Sequence, residues 1–115
     1  MVKIYKYELG LDGEVTKIKG KIRKILTVQL QPGVGPVCWC EVDERCKEIE
    51  ISICAIGTGW ELEKNIDMLD YIGTVQDGMG FVWHYYATPF MNHYGLNDLG
   101  DIFGAFFGAD RKSVV

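Results

Sequence analysis

Up to about residue 87 the apolar positions recur every second residue between glycine and proline breaks, a period that predicts short β-strands. Val2 to Leu9 reads as a first strand with Lys3, Tyr5, Tyr7 and Leu9 on one face. LDG at 11–13 predicts a hairpin turn, because Asp-Gly readily takes positive φ, and Glu14 to Lys19 reads as the return strand. In ILTVQLQ (25–31) the alternation points Leu26, Val28 and Leu30 inward and Thr27, Gln29 and Gln31 outward; PGVGP (32–36) then turns the chain into PVCWCEVD (36–43), a second hairpin. ISICAIG (51–57) reads as a buried strand with Ile51, Ile53 and Ala55 on one side. Glu61 to Asp67 has room for at most a turn or two of helix. DYIGTVQ (70–76) and GFVWHYYA (80–87) follow as strands joined by DGMG. The fold class these elements predict is mainly β with some α (α+β): an antiparallel meander, as a twisted sheet or a small barrel, with a short C-terminal helical segment.

The period changes after Pro89, which cannot donate to a strand ladder. Asn97 or Asp98 suits a helix cap and Gly108 a terminator. Leu99, Ile102, Phe103, Phe106 and Phe107 would then form one stripe, with Gly100, Gly104 and Gly108 on another. Interior glycines each cost a helix about 1 kcal/mol relative to alanine, so this one needs a packing partner. It can lie on the protein's own sheet, or its glycines can admit a second helix backbone. The expectation is a β core over 1–88 and an oligomerisation segment of the same domain over 89–115, with Gly100, Phe103, Gly104, Phe107 and Gly108 at the contact.

Composition narrows the function classes. The chain of 115 residues carries a formal charge of -4, which argues against a general nucleic-acid or anionic-membrane binder. Its first residues alternate charge and aromatics without the apolar run of a signal peptide, and no window has the apolar length of a spanning helix, so a cytoplasmic, membrane-free protein is expected. Cys38, Cys40, Cys46 and Cys54 lack paired Cys-x-x-Cys knuckles. They read as free thiols rather than a metal site, with Cys38 and Cys40 as small hydrophobes on one strand face.

Catalysis needs a nucleophile with a base, a metal, or paired carboxylates, and no local signature supplies one; the expectation is no catalytic residue and no cofactor. His84 and His93 are the two histidines. GVGP, GTGW and DGMG lack the strand-to-helix setting and spacing of phosphate loops. Lys17, Lys19, Lys21, Arg23 and Lys24 place five of the twelve basic residues in eight positions, which fits either a lysine-protected edge strand or an anion site. Phe81, Trp83 and Tyr85 share a face that suits a core. Trp60, in a loop beside two glycines, suits a binding surface.

KIYKYEL near the start, ILTVQLQPGVGPVCWCEVD in the middle and the ordered set AIGTG, DYIGTVQ and FVWHYY resemble a family of small uncharacterised bacteriophage and prophage proteins. The resemblance spans residues 1 to about 87 and implies no activity; the tail departs from it. In plan alone, a β-rich core with short C-terminal helices is similar to phage anti-defence sponges that sequester cyclic nucleotide or cyclic ADP-ribose signals in oligomers. The expected function is therefore a non-enzymatic, phage-encoded homo-oligomer holding a small anionic, nucleotide-type ligand between subunits. Its expected contacts are Trp60, Asn92, His93, Asn97 and Arg111. A protein inhibitor of a host defence enzyme, acting through a sheet edge or the acidic segment EVDERCKEIE, and a small Cys/His hydrolase are the alternatives.

Overall fold

The computed structural model describes residues 1–11, 13–62 and 64–88. The expected C-terminal helix and its glycine and phenylalanine stripes lie outside the described residues. The strands are β1 (Val2–Glu8), β2 (Val15–Gly20), β3 (Ile22–Gln31), β4 (Gly35–Asp43), β5 (Ile49–Gly57), β6 (Asp70–Gln76) and β7 (Val82–Ala87), with a 3₁₀ turn at Lys64–Met68. They form two antiparallel sheets, in the orders β1-β4-β3 and β2-β5-β7-β6.

This is not a simple meander. The predicted hairpins β3–β4 and β6–β7 are present, but the one expected at LDG is not: β1 pairs with β4 and β2 with β5, in the other sheet. The apolar residues around the turn explain the separation. Leu9 is buried and Leu11 packs against the same core, so the connection dives between the sheets instead of forming a polar tip. It is held there by Leu9 N–H to the Pro36 carbonyl (2.9 Å), Gly10 N–H to Thr16 Oγ1 (2.9 Å) and Tyr85 O–H to the Gly10 carbonyl (2.7 Å). Turn chemistry permitted a hairpin; burial of two leucines decided against it.

Only Lys21 separates β2 from β3, so this length of chain crosses from one sheet to the other. At the corner a methyl on Gly20 would come within 2.6 Å of the Tyr7 hydroxyl, so a side chain there would have to displace the end of that tyrosine. Along β3 the register against β4 shifts twice, between Ile22 and Lys24 and between Ile25 and Thr27. Each shift changes the phase of the alternation. Ile22 and Val28 are buried, whereas Leu26, at the second shift, is 39% exposed against expectation; Leu30, also expected inside, keeps the phase of Val28 but is 38% exposed near the end of the strand.

The core lies between the sheets, with Ile51, Ile53 and Ala55 of β5 meeting Cys38, Cys40, Trp83 and Tyr85. Each fully buried large aliphatic side chain contributes roughly 1.5–3 kcal/mol by leaving water. The other face of β5, carrying Cys54 and Ile56, is covered by Ile66, Met68 and Leu69 of the 3₁₀ connection. On one side of the sandwich β3 lies against β6, where a methyl on Gly73 would sit 3.1 Å from Val28 Cβ.

Candidate functional site: the cleft between β1 and the β2–β3 corner

The opposite side of the sandwich is open. All of β1 except Tyr7 is exposed, because its inner face has no strand of the second sheet directly over it. The result is a cleft of about 470 Å³. Lys3, Tyr5 and Tyr7 line it from β1, Lys19, Gly20 and Lys21 from the corner, and Glu44 and Glu48 from the loop after β4. Alternation puts the three β1 residues on one face. The strand crossing then brings two members of the basic run opposite them.

The existing partners of these cations are weak. Lys19 Nζ lies 3.5 Å from Glu48 Oε1 with both side chains exposed, and Lys21 Nζ donates to the Glu44 carbonyl at 3.2 Å. Exposed pairs of this kind contribute about 0–1 kcal/mol, so an incoming anion can redirect either lysine at small cost. Arg23, by contrast, is turned to Glu41 at 3.1 Å, away from the cleft lining. The basic run is thus divided between two surfaces by the corner at Lys21.

Cys38 and Cys40 share the inner face of β4 as expected, with their Sγ atoms 3.3 Å apart. The hydrogen bond with Cys38, and then burial, pushes the Cys40 thiol well above its ordinary value. Burial pushes Cys54 up to about 12. Cys40 and Cys54 are thereby neutral, packed thiols, whereas the hydrogen bond with Cys40 draws the Cys38 thiol below its ordinary value against the opposing effect of burial. Tyr7 above them has its hydroxyl pKa raised, by burial first and then by the two cysteines. Among the described residues no group of three or more His, Cys, Asp and Glu side chains gathers to hold a metal ion.

Trp60 occupies a different site. It is half-buried and meets Trp83 edge-on, with ring centroids 5.7 Å apart. Beside it is a pocket of about 250 Å³ lined also by Ile56, Thr58, Leu62, His84 and Tyr86. His84 bridges two hydroxyls there, Thr58 Oγ1 at 2.7 Å from Nε2 and Thr74 Oγ1 at 3.0 Å from Nδ1, and Thr74 meets the Tyr71 hydroxyl at 2.5 Å. AIGTG, DYIGTVQ and FVWHYY, separate in sequence, therefore converge on one hydrogen-bonded chain. Among the described residues no Asp, Glu, Lys or Arg lines this pocket. Asn92, His93, Asn97 and Arg111, expected to join Trp60 around the ligand, lie outside the described residues.

The cleft residues Lys3, Tyr5 and Tyr7 were not singled out from the sequence as a site. Their alternation was visible; that no described strand covers their face was not.

Fold and cleft together define a small two-sheet β protein with one closed and one open side. The chain belongs to the family described as Domain of unknown function (DUF7352), whose model matches residues 1–93. No curated protein and no solved structure matches it.

Proposed function

We propose that the protein is a non-enzymatic binding protein that holds a small, ring-bearing anion in the cleft between β1 and the β2–β3 corner. The observation that carries this reading is the meeting of Lys3, Tyr5 and Tyr7 with Lys19 and Lys21 around one open cavity of about 470 Å³. Ammonium groups supply point-charge contacts to phosphate, and tyrosine faces supply stacking surface for a base. The Trp60 pocket is smaller and has no charged residue among its described lining, which favours the cleft for an anion. Cyclic nucleotides and cyclic ADP-ribose isomers combine a planar base with phosphate and form the ligand class. A phage-encoded sponge that removes such an immune signal is the biological role that fits this reading, supported by the cleft's chemistry.

Calorimetry of the full chain against cyclic AMP, cyclic GMP and cyclic ADP-ribose tests it. Binding to at least one is expected, weakened by added salt and reduced about tenfold or more in Lys19→Glu/Lys21→Glu, a loss of about 1.4 kcal/mol. No heat with any of them overturns the ligand class, and heat that survives the double substitution overturns the site.

A further inference from the structure

We infer that β1 is the seam of a homodimer, pairing antiparallel with β1 of a second copy about a two-fold axis through Tyr5. A strand at a sheet edge presents unpaired N–H and C=O groups and invites pairing unless it is covered, kinked or charged against it. The four edges here differ in this respect. β3 and β6 lie against each other and both carry register irregularities. β2 spans six residues, and its two longest two-fold registers set Lys17 against Lys17 or Lys17 against Lys19. Among the described residues β1 has neither protection: its seven residues pair with β4 without interruption, and Val2, Ile4 and Tyr5 are 40%, 60% and 50% exposed.

The strand VKIYKYE is also self-complementary. Centred on Tyr5, an antiparallel pair sets Val2 opposite Glu8, Lys3 opposite Tyr7, Ile4 opposite Lys6 and Tyr5 opposite itself. No like charges face each other, and Lys3 over a tyrosine ring is a favourable cation–π arrangement. Sliding by two residues one way sets Lys6 against Lys6; sliding the other way leaves Glu8 unpaired. A two-fold axis normal to the sheet keeps the inner faces of both strands on the same side. Lys3 of the second copy then stands beside Tyr7 at the mouth of the first copy's cleft, and the reverse holds, as an isologous contact requires. The joined sheet runs β3-β4-β1 into β1-β4-β3, and each cleft gains a wall from the other subunit.

The interface stands apart from the ligand reading, and its test uses no ligand. Sedimentation velocity of the full chain across a concentration series should show a monomer–dimer equilibrium. Ile4→Lys, outside the cleft lining, puts a lysine opposite Lys6 twice and should weaken the dimer about ten- to thirtyfold. Adding Lys6→Glu should restore it by making both pairs complementary. A wild type monomeric throughout, an undiminished Ile4→Lys dimer, or failure of the second substitution to rescue overturns the proposal. Circular dichroism of each variant identifies any loss of folding. Should Ile4→Lys not fold, Tyr5→Cys gives an independent answer: paired strands bring opposed Cα atoms within about 4.5–5.5 Å, inside disulfide range, so mild oxidation should link residue 5 to residue 5. Absence of that link overturns the axis.

Discussion

The two sides of this sandwich are built from strands of comparable length and are put to opposite uses. On the closed side β6 approaches β3 so nearly that a methyl on Gly73 would come within 3.1 Å of Val28 Cβ. On the open side β1 stands apart from the β2–β3 corner, leaving a cleft lined by lysines and tyrosines. A glycine at the contact permits the first arrangement, whereas in the second no described strand of the other sheet lies over the inner face of β1. Substitutions on the closed side should therefore register in stability, and those on the open side in binding.

The largest effect is expected at the closed side. Gly73→Val should destabilise the protein by about 1–3 kcal/mol in urea, because the added side chain meets Val28 in a packed contact. A value near zero would show that β3 and β6 do not press on each other. Next comes the tether between β7 and the crossing loop. Tyr85→Phe leaves the Gly10 carbonyl without its 2.7 Å donor and should cost about 1–2 kcal/mol, with little change in core volume.

Acid should weaken the frame through two carboxylates. Burial raises the pKa of Asp77, but hydrogen bonds from Met79 N–H (2.8 Å), Phe81 N–H (3.0 Å) and Trp83 Nε1–H (3.2 Å) more than offset it, holding the group below its usual value. The Arg45 side chain, bonded at 2.6 Å to Asp43, depresses that carboxyl further. A folded-state pKa below the unfolded one means the native state binds the proton less readily. The associated stability is full above the ordinary carboxylate value of about 3.9 and is lost as pH falls through it toward the folded value. Urea midpoints should accordingly drop between pH 5 and pH 3. Asp77→Asn should show a shallower drop than wild type, and an equal slope would remove Asp77 from the account.

The smallest effect on stability is expected at the open side. Lys19→Ala and Lys21→Ala should each change stability by less than about 0.5 kcal/mol, since their present partners are solvent-exposed. A larger loss would mean that these lysines hold the corner together rather than await a ligand.

Much of the frame was legible from alternation and turn residues. The PGVGP and DGMG turns, the buried faces of β5 and β7 and the inward pair Cys38 and Cys40 all follow from local pattern. The cleft was half legible. The basic run stood out, but its division at Lys21 depends on a strand changing sheets, and the Lys3–Tyr5–Tyr7 face became a lining only because no strand covers it. Trp60 was legible as an unusual loop aromatic, yet its edge contact with Trp83 belongs to the packing.

By itself the sequence determined how many strands form, where most of them end and which alternate residues seek a common face, because side-chain alternation and the φ preferences of glycine and proline act within a few neighbouring residues. Only the tertiary structure decided that β1 and β2 part into different sheets, that an irregularity in β3 takes Leu26 out of phase with Val28, and that one side closes while the other stays open. Those outcomes rest on burial among residues distant in sequence, such as Leu9 and Leu11 settling between the sheets and Val28 settling onto Gly73. A two-residue period records which faces a strand has; it carries no term for what will lie against them.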